Sequence, residues 1–553
     1  MTVLKHYLNL KNIYFITFSA YLFFGINIAI PHLGGHGLYL PFNTVGWIFT
    51  SLIMGLACYQ IGKNNKIIIS KIMVYSVVGI VFMVIPIFYD NSEYSHLASM
   101  RLYGLLLGFV LFVAFHQFDF DQVDKTKSLY MLLLAAYIQL TIQTVSKLFS
   151  KGEFFVALSN FNAMAQSNIY ATFLCTSVLI SFYLILTDKD LSKSLLRKTL
   201  AYSMPLLATI QLIQLQSRTG YLSLFLGTSF ILVVWGFKKN KPYYLWIVAL
   251  FIGLFAGLVL DRNERMKKDL KYSLETRLTT YSLTFDMIKE NPLSGIGYGG
   301  FLSSFRHHYA KKKEENSLIE TIGNNNMSHP HNEFLFWTVE GGIIPFIGML
   351  IIFFAFIMMI WKAKKSKGWL IAGTTIPILI HTQLELPFYI SLVHWFIFIY
   401  LLYMIDDQVG NKSEINISFV YPFKIFSLVI PIAMSAYMIT ALESGRLITK
   451  FELTGYNNPS LLVSMPNPHA WQKKYETLVM KINLALAKQT NDRDKLREYI
   501  DWSEAYVRHS PYLFIYYDLA TAYESLGNSK KAWQVYNLAK YLYPGANWRD
   551  KVR

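Results

Sequence analysis

Residues Gly342 to Trp361 read GIIPFIGMLIIFFAFIMMIW. No charged side chain interrupts the run, and at 1.5 Å per residue a helix of this length reaches about 30 Å, the thickness of a bilayer's hydrocarbon core. The segment predicts a transmembrane helix. Comparable spans are expected at 12–30, 44–61, 67–89, 100–117, 128–148, 167–187, 198–216, 219–237, 243–260, 369–387, 389–405 and 420–440. The chain therefore reads as an all-α polytopic helical membrane protein of about 13 spans. Composition agrees. Of 553 residues, 54% are hydrophobic and 15% charged, and the mean hydropathy is +0.33, which excludes an ordinary soluble globular protein.

The formal charge of +17 does not point to nucleic acid, because the cations gather in alternate short loops. Lys63 and Lys66, Lys125 and Lys127, Lys189 to Lys198, Lys238 to Lys241, and Lys362 to Lys367 all fall on one side of the membrane, the cytoplasmic side by the positive-inside rule. An odd number of spans then puts the C-terminal tail outside. Cys58 and Cys175 lie inside apolar spans and supply no disulfide framework. Lys5 precedes the first span, and no small-residue cleavage pattern follows Pro31 and His32, so that span is expected to be retained rather than removed as a signal peptide.

Immediately before the quoted run, Asn324 to Gly342 reads NNNMSHPHNEFLFWTVEGG. His329, His331, Asn332, Glu333 and Glu340 fall within a few turns of one another. Pro330 is expected to open a helix, with Asn332 or Ser328 as its cap. His331 would then sit beside the helix N-terminus, whose partial positive charge disfavours imidazolium and leaves a ring able to accept a proton. Taken by themselves, these residues also fit a pair of surface histidines.

The expected organisation is an N-terminal membrane bundle (1–260), a long external loop (261–341), further spans (342–444) and a helical tail (445–553). Within the loop, Leu274, Leu278, Tyr281, Phe285 and Ile288 recur at helical spacing and Asn291-Pro292 ends the helix, with Arg277 bordering the apolar face. Gly295, Gly297, Gly299 and Gly300 follow and allow a tight backbone return, a weak sign of phosphate binding. In the tail, Tyr516, Leu519, Ala520, Tyr523, Gly527, Ala532, Tyr536, Ala539 and Pro544 match one tetratricopeptide unit. A single unit cannot bury its own apolar face, so it should stack on helices near 471–489 and 494–509, forming either a partner-docking surface or a cap.

Charges near membrane depth are costly and mark functional sites by default. Arg218 lies in LQSRTGYLS, a turn too short to leave the membrane surface, where it either snorkels or faces a polar cavity. With Arg277 it would supply two guanidinium forks suited to a diphosphate. His381 and Glu385, in HTQLELPFY, form a second polar cluster whose expected role is packing or ion pairing in the bundle. Gln166 and Asn168, in AQSNIYATFL, either bind sugar hydroxyls or cap a helix. His32 and His36 are a weaker pair. A His-x-His with a nearby Glu raises metal binding, but no third ligand has fixed spacing, so no metal is assigned.

These motifs together resemble the O-antigen ligase and polymerase superfamily. The resemblance rests on SRTG at Ser217 to Gly220, the block from Arg277 through NPLSGIGYGGF, and HPHNEF followed by Glu340-Gly-Gly. AQSNIYATFL, HTQLELPFY and the helical tail are similar to bacterial O-linking oligosaccharyltransferases of the PglL type. The resemblance implies a metal-independent enzyme of the inner membrane. It would take a glycan from undecaprenyl diphosphate at the periplasmic face and move it en bloc to Ser or Thr of an acceptor protein such as a pilin. It also implies His331 as the essential histidine and Arg218 and Arg277 as the diphosphate-holding arginines, with His329, Asn332, Glu333, Glu340, Gln166, Asn168, His381 and Glu385 supporting the site or binding sugar. The alternatives are an O-antigen ligase acting on the lipid A core, an O-antigen polymerase and, in a different class, a secondary transporter or lipid flippase whose pathway Arg218 and Glu385 would line.

Overall fold

The computed structural model describes residues 9 to 546 apart from 90, 92, 149–152, 237–240, 261–267, 318, 320–326, 364 and 411. Lys5, Lys238 and Lys239, the start of the expected loop at Asp261 and Asn324 to Asn326 lie outside the described residues. The N-terminal half comprises α1 (Leu10–Phe23), α2 (Pro41–Asn64), β1 (Lys66–Ser70), α3 (Lys71–Val84), α4 (Ser99–His116), α5 (Gln122–Leu148), α6 (Glu153–Phe161), α7 (Ser167–Thr187), α8 (Leu195–Leu215), α9 (Arg218–Trp235) and α10 (Lys241–Leu260). The long loop carries α11 (Lys268–Glu290), α12 (Phe301–Glu315) and α13 (Glu333–Gly341). The bundle resumes with α14 (Ile343–Lys362), α15 (Lys365–Gly373), α16 (Ile376–Leu384), α17 (Pro387–Ile390), α18 (Leu392–Val409), β2 (Lys412–Asn416) and α19 (Tyr421–Leu453). The tail holds α20 (Ser460–Val463), α21 (Gln472–Thr490), α22 (Arg493–His509), α23 (Leu513–Ser525) and α24 (Ser529–Leu542).

The protein is an all-α multi-pass membrane protein. Among the described residues, ten helices are long and apolar enough to cross a bilayer: α2, α3 and α4 with their 3-10 extensions, α5, α7, α9, α10, α14, α18 and α19. α7 is apolar all round and buried from Ile169 to Ile185, the pattern of a helix at the centre of a bundle. α10 and α19 instead turn Phe251, Phe255, Val259, Leu428 and Ile432 outward, where lipid is the natural solvent.

Three expected spans are not among the ten. α1 has only 14 residues, about 21 Å, and gives way to a 3-10 turn at Gly25–Asn27, where the Asn27 amide caps the Phe23 carbonyl. α8 is a 21-residue helix that carries Arg197 and Lys198 in its first turn. The span expected at 369–387 is broken into α15 and α16. Thr374 and Thr375 hydrogen-bond back to the Ile371 and Ala372 carbonyls, and Pro377 restarts the helix. A fourth span, expected from 67, starts later because the β-branched run Ile67 to Ile69 pairs antiparallel with Ser413 to Ile415.

α19 has 33 residues, about 50 Å, well beyond a bilayer core. The boundary placed between 444 and 445 falls inside it, so helix rather than linker enters the tail. Gly445 is required there: a Cβ would lie 2.3 Å from the Trp471 ring, whose Nε1 donates to the Ala441 carbonyl. The α23–α24 hairpin packs Leu519, Ala522, Tyr523 and Ala532 onto Leu484, Leu496, Tyr499 and Ile500 of α21 and α22. The tail also meets the long loop. Buried Arg306 of α12 stacks 4.1 Å over the Tyr543 ring, Ser303 Oγ donates to the Arg508 carbonyl, and Ala310 packs with Leu542.

Candidate active site

Asn332 caps α13, its Oδ1 accepting from the Leu335 amide at 3.0 Å. Pro330 stays outside the helix, contrary to expectation, because His331 adopts a left-handed backbone with φ of 57°. That conformation costs a non-glycine residue about 1–2 kcal/mol and is held only by surrounding contacts. The His331 amide donates to His329 Nδ1 at 3.2 Å. Tyr281 Oη, from α11, donates to the carbonyls of Gln383 at 2.9 Å and His331 at 3.2 Å. Asn332 Nδ2 reaches the same Gln383 carbonyl at 3.1 Å. The histidine is thus locked between the loop helix α11 and the broken span.

His331 Nδ1 lies 2.7 Å from Glu385 Oε1. An ionised carboxylate only accepts, so Nδ1 carries the proton, and Nε2 has no hydrogen bond to another described residue. A carboxylate thus orients this ring beside the α13 N-terminus, a partner the sequence reading did not assign to it. Glu385 was expected to pair within the bundle; it reaches His331 because the break after α16 frees it from the helix.

His329 stacks edge-on at 4.5 Å, its Nε2 4.0 Å from the same carboxylate oxygen. Desolvation lowers its pKa to about 3, so this ring is neutral, with Nδ1 as acceptor and its proton on Nε2. His329, His331 and Glu385 are close enough to surround a metal, their ligand atoms lying within 4.8 Å. The same ring nitrogens can either donate to Glu385 or, with their protons displaced, ligate an ion together with it.

Arg277 is half-buried, four residues before Tyr281, and near enough to Glu385 and His381 for its charge to act on both. Arg218 is exposed at the first position of α9, where Ser217 caps the helix and donates to Asn168 Oδ1 at 2.8 Å. One turn beyond Asn168, Thr172 meets His381 Nδ1 at 2.9 Å and His394 Nε2 at 3.1 Å. A chain of polar contacts thus joins Ser217, the residue before Arg218, through Asn168 and α7, to the helix that ends at Glu385. His381 itself is fully buried, so it supports the fold behind the site instead of meeting a sugar. Gln166 is exposed at the start of α7 and makes no side-chain cap.

Glu340 is also buried and its carboxylate is engaged, Oε2 with Arg101 Nη2 at 2.5 Å and Oε1 with the Phe301 amide at 3.1 Å. It fixes α13 to α4 and to the start of α12 and is not available to a glycan. Arg101 was not singled out from sequence. A lone arginine in the apolar run SMRLYGLL was the available signal; its guanidinium packs against Tyr298, Phe336 and Trp337. Glu333 Oε1 is buried without a partner, and desolvation, only partly offset by the charge of Arg101, raises its pKa to about 8. The glycine run is no phosphate cradle. The Gly297 amide donates to the Glu340 carbonyl at 2.9 Å, and a Cβ at Gly297 would lie 2.1 Å from the Asn91 carbonyl oxygen.

Residues 204–350 match the family described as O-Antigen ligase. Residues 369–553 match the family described as Virulence factor membrane-bound polymerase, C-terminal. No curated protein matches the chain. The first match contains Arg218, Arg277 and the histidine stretch; the second contains Glu385 and the tail.

Proposed function

We propose, taking the chain as a member of the O-antigen ligase and polymerase superfamily that its two matches support, that it transfers a glycan from a polyprenyl diphosphate to a hydroxyl acceptor. Members of that ligase family are glycosyltransferase-type enzymes acting on lipid-linked oligosaccharides. The observation that carries the reading here is the His331–Glu385 pair at 2.7 Å with the far nitrogen open. A serine or threonine hydroxyl is a poor nucleophile. His331 Nε2 takes its proton as the oxygen attacks the anomeric carbon, and Glu385 holds the ring and stabilises the imidazolium that forms.

In this scheme a bond forms from the acceptor oxygen to the anomeric carbon, and the bond from that carbon to the diphosphate oxygen breaks. The lipid diphosphate leaves with the electron pair. Arg218 and Arg277 stabilise that developing charge more than they stabilise the bound substrate, which is how they would accelerate the step. Attack from the face opposite the leaving group inverts the anomeric centre. The proton, the electron pair and the charge are all accounted for by side chains, so no metal step is invoked.

The finer reading is an O-linked oligosaccharyltransferase of the inner membrane, with its site at the periplasmic face and a pilin-like protein as acceptor. The tail favours a protein acceptor, because it offers a folded surface packed on α12 of the same loop that carries the histidine stretch. The ligase match over residues 204–350 favours the second reading, transfer to the lipid A core. Mass spectrometry of pilin-like proteins, run beside lipopolysaccharide gels from cells with and without the gene, separates the two. Loss of a protein glycan alone supports the first, and loss of the lipopolysaccharide ladder alone replaces it with the second.

A further inference from the structure

One carboxylate oxygen faces both rings of the HPH motif. Glu385 Oε1 lies 2.7 Å from His331 Nδ1 and 4.0 Å from His329 Nε2, and the three ligand atoms all fall within 4.8 Å of one another. A four-coordinate ion with bonds of about 2.0–2.1 Å sets its ligands roughly 3.3 Å apart, so the separations here straddle that spacing. Glu385 is the third ligand that the His-x-His spacing did not supply. Two imidazoles and one carboxylate are the donor set of a zinc site that keeps one position open. Magnesium and calcium, which take six or more ligands that are mostly oxygens, fit it badly. The side chains of His329 and His331 are 24% and 25% exposed, so an ion can arrive from solvent and keep a water as its fourth ligand.

The three groups are held in place by their own backbone contacts. Glu385 follows the last residue of α16 with its amide on the His381 carbonyl at 2.9 Å. Tyr281 Oη holds the His331 carbonyl at 3.2 Å. Among the described residues Glu385 makes no ion pair with a lysine or arginine, so its carboxylate can serve an ion.

Ligation shifts protons without adding or removing any. At His331 the proton passes from Nδ1 to Nε2, and at His329 from Nε2 to Nδ1, so that each ring turns a lone pair to the ion. The first shift converts the nitrogen that would accept the hydroxyl proton into an N–H donor. The second gives up the 3.2 Å bond from the His331 amide to His329 Nδ1, which makes the ion a reversible occupant rather than a permanent one.

We propose that His329, His331 and Glu385 form an inhibitory zinc site, in which the ion bridges His331 Nδ1 and Glu385 and so removes the base. The binding stands on the geometry; the inhibition rests on the transferase reading.

The test is calorimetric titration of the full-length protein in phosphatidylcholine nanodiscs with zinc chloride and with magnesium chloride. One zinc should bind per chain, and magnesium should not bind. His329→Gln, His331→Ala and Glu385→Gln should each weaken zinc by about tenfold or more. Glu385→Asp keeps a carboxylate and should hold zinc better than Glu385→Gln, the pair controlling for folding. Cobalt(II) in the same site should give the intense visible absorption of a four-coordinate ion. Unchanged zinc affinity in any of the first three variants, or equal affinity in Glu385→Asp and Glu385→Gln, would overturn the site. In a transfer assay zinc should stop turnover and a chelator should restore it. Bound zinc with unchanged turnover, or turnover that requires zinc, would overturn the inhibition. A chain that binds zinc at these residues but transfers no glycan with or without it would overturn the transferase reading and leave the zinc site standing.

Discussion

His331 Nδ1 and Glu385 Oε1 stand 2.7 Å apart although 54 residues of chain separate them, one on a strained loop and the other just past a broken span. The pair gives each residue a separable role. His331→Ala removes the base and should abolish transfer. Glu385→Gln keeps the size but presents an amide that no longer specifies the Nδ1–H tautomer, so kcat should fall by about 10²–10⁴ with KM little changed. Single-turnover kinetics on the purified variants checks both; a normal kcat in Glu385→Gln would confine the carboxylate to packing.

Arg218 is exposed at the α9 N-terminus and carries no fold contact that a lysine could not replace. Arg218→Lys keeps the charge and loses the planar fork, so activity should drop at least tenfold while the melting temperature in detergent stays within about 2 °C. Wild-type turnover in that variant would reduce Arg218 to a snorkelling cation.

Arg101 and Glu340 should behave in the opposite way. Removing either leaves the other buried without its charge partner, at a cost of about 3–5 kcal/mol. Arg101→Met should therefore lower the melting temperature and the yield of inserted protein, and Arg101→Met with Glu340→Gln should recover part of the loss. A stable but inactive Arg101→Met protein would show that the arginine acts on substrate.

The spans were legible in the sequence because apolar length is a one-dimensional signal, and α2, α5, α7, α14 and α18 need no tertiary information. Asn332 as a cap, and the helix around Arg277, were legible for the same local reason. The Glu385 contact was not, since it depends on the helix ending at Leu384 and on a left-handed His331, neither of which a periodicity carries. Glu340 looked like a site residue only because it follows the histidine motif. Its partner Arg101 lies 239 positions away, and no spacing rule connects them.

Glu333 supplies a pH test. Its carboxyl is raised from an ordinary value of 4.5 to about 8, so between those values the folded protein keeps a proton that the unfolded chain has lost. Stability from this group is full below 4.5 and declines as pH rises to about 8. Glu333→Gln, neutral at every pH, should raise the melting temperature at about pH 8.5 more than at about pH 5. Equal melting shifts at the two pH values would show that the carboxyl ionises as freely in the folded protein as in the unfolded one.

Arg306 tests the coupling between tail and loop. It is 1% exposed, stacked on Tyr543, in the helix that also gives Ser303 to Arg508. A desolvated cation–π contact is worth about 2 kcal/mol, and losing it also leaves a hole between α12 and α24. Arg306→Ala should loosen the tail without unfolding the bundle, seen as faster proteolysis in the segment between α19 and α21. If the docked tail helps to hold the donor, KM for the donor should rise severalfold in the same variant while kcat holds. Faster proteolysis with unchanged KM would mean that the tail stabilises the loop but does not help to hold the glycan.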